Sequence, residues 1–503
     1  MNKYLENLKM DNNFGLTENG GIKHNTTMNK VLDMFGMGGS MRSRSDSDII
    51  VMFTNAYNED PTLALRCLFY LRDVRGGQGE RRFFRTVFKW MGDHMPEECE
   101  NLIRLVAEYG RWDDLFELFG TKCEGAMMGY IMYILNMNKD HLLYKWMPSI
   151  NASSRNTQGR GRKFAREFGL TERQYRKMLS EGRQACNLVE SLMSQNHWNQ
   201  IAFDKLSSRA GLLYKNAFMR REETKARYAE FMSNDKTKVN ATVLNPVDIA
   251  HQIYNHRSWN RPSDTERKAW QKYWDNLKDY YDGHEEPGIA VVDVSGSMMG
   301  TPLEAAVSMG AYIAERGKGP FHNHFITFSS NPTLVEFEGV DVYDKFQRAQ
   351  NAEWGGSTNI EAVFKMLLDT ALTHHTPKED MPRTIYIFSD MEFNGCISSG
   401  PALPDAYGWS YNSHRALNEK QINTVIETQA RVWKQYGYEI PRVIFWNLDA
   451  RHNNIPAIGP GFSYVSGFSM NMVECILSGK DGMALMLDKL NSERYKAITS
   501  IHG

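Results

Sequence analysis

The hydrophobic positions between about residues 47 and 280 recur with the period of an α-helix. Phe84, Val87, Phe88 and Met91, for example, follow the i, i+3, i+4, i+7 spacing that gathers apolar side chains on one helical face. Short polar turns separate successive segments of this kind. Because a lone amphipathic helix cannot bury its apolar face by itself, we expect these helices to stack as a helical-repeat module.

The pattern changes at "YDGHEEPG", residues 281–288, after which apolar runs of strand length alternate with helical stretches. The strand-length runs are Ile289–Val292, Phe325–Phe328, Ile385–Phe388 and Val443–Trp446, and the helical stretches include 302–316, 359–372 and 417–436. Strands that are apolar on both faces and alternate with helices indicate a parallel sheet covered on both sides. The C-terminal part is therefore predicted to be a doubly wound α/β domain.

Three regions follow from these patterns, and the fold class is α plus α/β. Residues 1–46 are rich in Asn, Gly, Met and Ser and have few apolar positions, so we expect a flexible N-terminal arm or a docking strap. Residues 47–284 form the all-helical module, and residues 285–503 form the α/β domain. A chain of 503 residues is long enough for this division.

The composition indicates in which compartment the protein is found, but it does not indicate a particular reaction or ligand. The 59 basic and 60 acidic residues nearly cancel, so an affinity for nucleic acid must come from a local patch. The cysteines are scattered, with no CxxC pair, which favours a reducing compartment. The start of the chain shows no secretory leader, and no apolar run is long enough to span a bilayer. We expect a cytoplasmic protein without a membrane partner.

Polar side chains follow the predicted strands in three places. Asp293, Ser295 and Ser297 come after the first strand, Thr358 lies in a loop that precedes a helix, and Asp390 follows another strand. Ligands of an open α/β sheet bind beyond the carboxyl ends of its strands. Hydroxyl and carboxylate oxygens suit Mg²⁺ or another divalent cation. A nucleophilic serine would need a histidine base, usually within a GxSxG turn, and neither surrounds these serines.

The three motifs "DVSGS", "GGSTN" and "FSD" together resemble the metal-ion-dependent adhesion site of von Willebrand factor A domains. The resemblance implies that Ser295, Ser297 and Thr358 are ligands of the cation, directly or through water, and that Asp293 and Asp390 mainly hold coordinating waters. It also implies an open coordination position for an acidic group of a partner protein. The alternative is that Asp293 only ends a strand and the serines only cap a helix.

Two motifs of the helical region combine arginine and aspartate at predicted helix junctions. They are "FYLRDVRGGQGERRFFR" at 69–85, with Arg72 and Asp73, and "YGRWDDLFEL" at 109–118, with Arg111 and Asp113. The first is not a phosphate-binding Walker loop, because it lacks GK[ST]. We interpret both as structural corners at which arginine and aspartate pair and Trp112 packs beneath.

The order of these motifs, followed by "KWMPS" at 145–149, "SSRAGLLYKNAF" at 207–218 and an A-like domain, resembles the Ro autoantigen family and its uncharacterised viral and plant sister group. The resemblance implies a TROVE module of HEAT-like helix pairs, closed into a ring by the A domain. It also implies binding of small structured RNAs on the outer surface and of single-stranded ends of misfolded RNAs in the cavity.

Basic residues concentrate in "SSRNTQGRGRKFAREFG", residues 153–169, and continue downstream with tyrosines between them. Arginine and lysine neutralise phosphates, and exposed aromatic rings can stack on bases. The alternative is a solvated helix face. The candidate RNA-binding residues are Arg155, Arg160, Arg162, Lys163, Arg166, Arg173, Arg176, Lys177, Lys205, Arg209 and Lys215.

We therefore expect a non-enzymatic, RNA-binding ribonucleoprotein scaffold with a Mg²⁺-dependent partner site on its A-like domain. The alternative is a protein-interaction adaptor that uses the metal site and has no role in RNA binding. A metal-dependent nuclease is disfavoured, because two-metal nucleases need a denser carboxylate cluster. The polar loop at 396–414, "CISSGPALPDAYGWSYNSH", departs from the A-domain pattern and would restrict access to the metal if it overhangs Asp390.

Overall fold

The computed structural model describes residues 8–10, 12–138, 141–256, 261–285, 287–328, 331–350, 358–395 and 423–502. In chain order, the helices are α1 (Lys30–Met37), α2 (Asp46–Glu59), α3 (Pro61–Arg72), α4 (Arg82–His94), α5 (Pro96–Leu102), α6 (Val106–Tyr109), α7 (Glu124–Met137), α8 (Leu143–Trp146), α9 (Arg155–Glu167), α10 (Glu172–Ala185), α11 (Val189–Ser194), α12 (Ser208–Arg220), α13 (Glu222–Ser233), α14 (Pro246–Tyr254), α15 (Asp264–Asp275), α16 (Thr301–Arg316), α17 (Val342–Gln350), α18 (Ile360–Thr373), α19 (Val425–Gln435), α20 (Val473–Leu477) and α21 (Gly482–Leu490). The strands are β1 (Phe14–Leu16), β2 (Ile22–His24), β3 (Gly288–Asp293), β4 (His324–Phe328), β5 (Thr333–Glu336), β6 (Thr384–Ser389), β7 (Arg442–Asn447) and β8 (Phe462–Ser466).

These elements form two compact units, each built from discontinuous parts of the chain. The α/β unit consists of Met1–Ser45, Asn245–Arg257 and Asp279–Ser492. The helical unit consists of Asp46–Leu244, Ser258–Lys278 and Glu493–Gly503. The predicted fold class, α plus α/β, is confirmed, whereas the compact units do not follow the predicted boundaries at residues 46 and 284.

The α/β unit is organised around a six-stranded sheet in the order β5-β4-β3-β6-β7-β8. All neighbouring strands are parallel except the edge strand β5, which is antiparallel to β4. Every residue of β6 is buried, as are all but the first residues of β3 and β7. Such burial requires helices on both faces of the sheet, so the predicted doubly wound arrangement is confirmed. Each of the four predicted strands lies within β3, β4, β6 or β7.

The N-terminal segment is part of the α/β unit, which corrects the expectation of a flexible arm. Helix α1 packs against β7 and β8 and buries Val31, Met34 and Phe35. A Cβ atom on Gly36 would lie 2.8 Å from Tyr464, and one on Gly39 would lie 2.8 Å from Ser466. These glycines therefore allow close packing of the backbone and do not indicate flexibility.

Residues 245–257 also belong to the α/β unit, although the sequence placed them in the helical module. Helix α14 packs on α16 and buries Ile249, Ala250 and Ile253. The His251 Nδ1 atom lies 2.6 Å from a Glu304 carboxylate oxygen at the start of α16. The helical rhythm of residues 246–254 was correct, but periodicity does not show which core a helix contacts.

The helical unit is a stack of short helices whose corners are fixed by ion pairs, of which Arg72–Asp114 is buried and Arg111–Asp113 is partly exposed. Arg72 Nε donates to Asp114 Oδ2 at 2.7 Å, and Arg111 Nε donates to Asp113 Oδ1 at 2.7 Å. The predicted arginine and aspartate corners are thus confirmed, with Asp114 as the partner of Arg72. The Trp112 ring stacks on Tyr130. A Cβ atom at Gly77 would lie 1.9 Å from the Tyr70 carbonyl oxygen, so this corner requires glycine.

Asp73 joins one of these corners to the last residues of the chain. Its carboxylate is fully buried and accepts hydrogen bonds from both Nε and Nη2 of Arg494, the latter at 2.7 Å. The Tyr495 hydroxyl adds a hydrogen bond at 2.9 Å. The hydrogen bonds with Asp73 raise the pKa of Arg494, which keeps the guanidinium charged. Residues 493–502 are therefore part of the helical unit and not of the α/β domain in which the sequence placed them.

Asp73→Asn should destabilise the helical unit by about 2 kcal/mol, because the fully buried carboxylate accepts hydrogen bonds from Arg494 and Tyr495 that an amide cannot all replace. The free energy of unfolding in urea measures the change. Glu493→Gln is the matched control, since it makes the same carboxylate-to-amide change at an exposed residue of the same segment. Equal stability of the two variants would show that Asp73 contributes no more than a surface charge.

Candidate functional site

The candidate metal site lies at the carboxyl edge of the sheet, where the strand order changes direction. Strands β4 and β6 lie on opposite sides of β3, so the connections that leave β3 and β6 diverge. Val292 is in register with Phe388, which places Asp293 beside Ser389. The Ser389 hydroxyl donates to Asp293 Oδ2 at 2.5 Å. This edge is therefore where the fold itself would place a ligand.

The two motif serines lie next to Asp293 in a short 3₁₀ turn. The backbone amide of Ser295 donates to Asp293 Oδ1 at 2.9 Å, and the hydroxyls of Ser295 and Ser297 are 3.0 Å apart. Ser295 is buried and Ser297 is exposed. The loop ends at Gly300, whose φ of 92° favours glycine, and α16 begins at Thr301. The structure thus brings Asp293, Ser295 and Ser297 together.

Asp293 has an unusual electrostatic environment. Burial and, to a lesser extent, the nearby charge of Asp390 together raise the pKa of its carboxyl group to about 7. Hydrogen bonds from Ser389 and Ser295 act in the opposite direction. A buried carboxylate beside a second one is costly in free energy unless a proton or a cation compensates it.

Asp390 and Thr358 already have partners within the α/β unit. Arg451 Nη2 donates to Asp390 Oδ2 at 2.5 Å, so a guanidinium compensates part of its charge. The Thr358 hydroxyl lies 2.9 Å from both the Glu392 carbonyl oxygen and Asn394 Oδ1, and it accepts a hydrogen bond from Asn19 Nδ2 at 2.8 Å. Both residues are therefore already engaged in hydrogen bonds within the α/β unit.

A hard divalent cation fits part of this site. Asp293, Ser295 and Ser297 offer converging oxygen atoms, and the raised pKa of Asp293 shows that its charge is undercompensated. The Asn19 amide already occupies one of the two lone pairs of the Thr358 hydroxyl oxygen and so competes with a cation for it. The oxygen atoms of Asp293, Ser295 and Ser297 are therefore suited to Mg²⁺. Whether Thr358 joins them depends on its hydrogen bond with Asn19. The five predicted ligands stay a prediction.

Several residues of this edge were missed by the sequence reasoning. Arg451 and His452 follow the strand β7, so the same rule of strand ends could have indicated them. Glu392 is buried, and its carboxylate lies 2.8 Å from His452 Nδ1. Asn19 belongs to the N-terminal segment, and no pattern in the sequence connects it to residues more than 300 positions away. The polar loop at 396–414 lies outside the described residues.

The predicted RNA-binding residues fall mainly on the packed helix pair α9 and α10. Their buried faces contain Gly161, Phe164, Tyr175 and Leu179, and the basic residues lie on the other faces. Arg162 is paired with Glu172 at 3.1 Å. The exposed candidates are Arg155, Arg162, Arg166, Arg173, Arg176 and Lys177, and the half-buried ones are Arg160 and Lys163.

The remaining candidates differ from this group. Lys205 and Arg209 are exposed, near the start of α12. Lys215 is buried, with its ammonium group 4.9 Å from the centre of the Trp270 ring, so it is not accessible to a phosphate and its selection is corrected. Tyr175 is also buried and donates to the Pro148 carbonyl oxygen at 3.0 Å. Charge, and not stacking on Tyr175, is therefore what this surface offers to RNA.

Comparison with known proteins gives family matches without a described function. A model described as Domain of unknown function (DUF2828) matches residues 17–168 and 151–280, and one described as Domain of unknown function (DUF7788) matches residues 287–497. Uncharacterized protein L728 of Acanthamoeba polyphaga mimivirus is 29% identical over 530 residues, which cover 93% of this chain and 85% of L728. L728 is an uncharacterised viral protein, which agrees with the prediction of uncharacterised viral relatives.

The Ro (RSR) protein of Deinococcus radiodurans is a structural match with a TM-score of 0.31 and 12% sequence identity. The match covers 92% of this chain and 86% of that protein. A TM-score of this size carries no argument about fold or function, so the resemblance to Ro proteins stays a prediction. No described helix is both long enough and apolar enough to cross a membrane.

Lys215→Met should stabilise the protein at pH 7 by about 1–3 kcal/mol, because burial lowers the pKa of this lysine from 10.5 to about 8. The folded pKa is below the unfolded one, so the cost of the buried charge is full below pH 8 and disappears as pH rises towards 10.5. Urea unfolding between pH 7 and 10 should show the advantage of the variant shrinking. Lys225→Met, at an exposed lysine, should show no such trend.

Proposed function

We propose a function for this chain, which belongs to the family described as Domain of unknown function (DUF2828), from the surface of its helical unit. The protein binds RNA through the outward face of helices α9 and α10 and acts as a scaffold without catalysing a reaction. A divalent cation at the carboxyl edge of the sheet gives the α/β unit a separate site for a protein partner.

The charge of one helix pair is the observation that carries the RNA proposal. Residues 155–177 contain eight basic and two acidic side chains, in a chain whose net charge is −1. Four of the exposed arginines, Arg155, Arg166, Arg173 and Arg176, have no acidic partner among the described residues. A cluster of solvated guanidinium groups attracts a phosphate backbone and gains free energy from the release of its counterions.

The form of this surface favours phosphate contacts over base recognition. The helical backbones of α9 and α10 hold the arginines at i, i+4 and i, i+3 spacing, as in Arg162 with Arg166 and Arg173 with Arg176. The aromatic rings of the pair pack inward, so they do not stack on bases. We expect the surface to bind small structured RNAs and single-stranded ends, with affinity set by charge more than by sequence.

The site at the carboxyl edge supports an adhesive role better than a catalytic one. Within the described residues, neither the Ser295 nor the Ser297 hydroxyl is hydrogen-bonded to a histidine, so neither serine is activated as a nucleophile. When a divalent cation is bound, it supplies a positive centre that attracts an acidic group of a partner. Asp293 would orient the coordinating water, and the two serines would hold the ion in place.

Replacing Arg155, Arg166, Arg173 and Arg176 with alanine should weaken binding of an unstructured single-stranded RNA and flatten its salt dependence. The slope of log K against log salt should become less negative by about 2.8, at roughly 0.7 for each lost phosphate contact. Fluorescence anisotropy at several salt concentrations measures the slope. Alanine at the exposed Lys365, Lys378, Arg431 and Lys434 of the α/β unit is the control with equal charge change. Equal slopes for both variants would contradict the proposed surface.

Ser297→Ala should reduce the affinity for Mg²⁺ about tenfold or more, since it removes one oxygen ligand from an exposed position without disturbing the core. Isothermal titration calorimetry measures the affinity, and Ser478→Ala is the control at another exposed serine of the same unit. Binding of the single-stranded RNA should be unchanged in both variants and after chelation of Mg²⁺. A protein that binds Mg²⁺ and a partner but no RNA would support the adaptor function instead.

A further inference from the structure

Residues Thr17–Gly21, which we name the strap, form the turn between β1 and β2 and lie on the candidate metal site. Asn19 Nδ2 donates to the Thr358 hydroxyl at 2.8 Å and also to the Glu392 carbonyl oxygen at 2.5 Å. The Glu18 amide donates to a Glu392 carboxylate oxygen at 2.8 Å. The strap therefore contacts both the loop before α18 and the loop after β6.

The fit between the strap and this edge is specific. Thr17 Oγ1 donates to the Phe393 carbonyl oxygen at 2.7 Å, and Gly20 forms an antiparallel bridge with Asn394. A Cβ atom on Gly21 would lie 2.5 Å from the Phe393 oxygen, so the strap requires glycine to come this close. Gly20 has a φ of 79°, which also favours glycine. A segment that only passed over the surface would not need these features.

Contact with Asn19 and coordination of a cation compete for the Thr358 oxygen. The Asn19 amide hydrogen occupies one of the two lone pairs of Oγ1 and presents a partial positive charge to it, and a metal ligand must present a lone pair to a positive ion. The hydroxyl hydrogen of Thr358 is directed at Glu392 or Asn394. Thr358 is therefore a weaker ligand while the strap is docked than after the strap has moved.

The strap is held mainly by polar contacts, which makes its release inexpensive. Glu18, Asn19 and Gly20 are exposed, and the neighbouring Leu16 is 53% exposed. The Glu18 carboxylate lies 3.4 Å from Arg451 and 3.8 Å from His452, contacts that water and salt weaken. The exposed tip of the hairpin, Glu18–Gly20, can therefore move away from the edge while the buried Lys23 and His24 hold β2 in place through Asn453 and Ile455.

We infer that the strap is a tethered cover of the carboxyl edge, which a divalent cation and an acidic partner must displace. The inference rests on the metal site proposed above. It gives the N-terminal segment a regulatory role: the docked strap competes with the ion for Thr358 and covers the edge, and the released strap leaves the edge open to both the ion and the partner. Binding at the edge and docking of the strap are thus competing states of one surface.

Asn19→Ala in the full chain tests this competition with Mn²⁺ as the probe, because oxygen sites for Mg²⁺ also accept Mn²⁺. The substitution removes two hydrogen bonds of the docked strap and should raise the affinity for Mn²⁺ about tenfold. Asn12→Ala is the matched control, since it makes the same change at an exposed asparagine just before the hairpin. Adding Ser297→Ala to Asn19→Ala should abolish the gain, which shows that the ion is bound at this edge.

Hydrogen exchange of the amides at residues 17–21 gives a second readout that does not depend on metal affinity. Exchange should be faster in Asn19→Ala than in Asn12→Ala, and adding Mn²⁺ to the unchanged protein should accelerate it. Equal Mn²⁺ affinities of the two variants would overturn the inference, as would exchange that Mn²⁺ leaves unchanged or slows. If no variant binds Mn²⁺, the metal site fails; faster exchange in Asn19→Ala would then support a releasable strap, and unchanged exchange would refute it.

Discussion

The burial of two carboxylates at the ends of adjoining parallel strands is the constraint on which the α/β unit depends. Asp293 and Asp390 are both buried, and their repulsion helps to raise the pKa of Asp293. The two carboxylates are stabilised in different ways. Asp293 accepts a hydrogen bond from the Ser389 hydroxyl, and Asp390 accepts one from the Arg451 guanidinium. Two buried carboxylates in a sheet are costly in free energy unless they are compensated, and this cost is the physical reason for proposing a ligand site at this edge.

The sequence was informative where a local pattern decides the structure. The buried strands β3, β4, β6 and β7 are continuous apolar runs, and the strand-end rule located Asp293 and the two serines. The sequence was misleading where contacts between residues far apart in the chain determine the structure. The glycines of the N-terminal segment suggested mobility, but Gly36 in α1 and Gly39 just after it are needed because a side chain at either position would collide with β8. Likewise, nothing near Arg494 in the sequence indicates that Asp73 is its partner.

In the basic segment, too, the local sequence revealed some features and not others. The sequence predicted the concentration of basic residues, and the helical period of α9 places Arg155, Arg162 and Arg166 on one face. Charge alone did not distinguish them from Lys215, whose aliphatic stem and ammonium group are buried against Trp270. Lysine is usually exposed, so only the packing of α12 against its neighbours could have revealed the exception.

The discontinuity of the helical unit has a consequence for how the protein is made. A ribosome synthesises residues 46–244 long before residues 493–502, so the Asp73 carboxylate emerges without the arginine that compensates it in the finished structure. During that interval this corner must stay hydrated or take up a proton, and its helices cannot pack fully. Most of the α/β unit, residues 245–257 and 279–492, is synthesised in the meantime. The helical unit is therefore begun before most of the α/β unit but completed after it, and a nascent chain stalled between residues 279 and 492 carries an unfinished helical unit that chaperones could recognise.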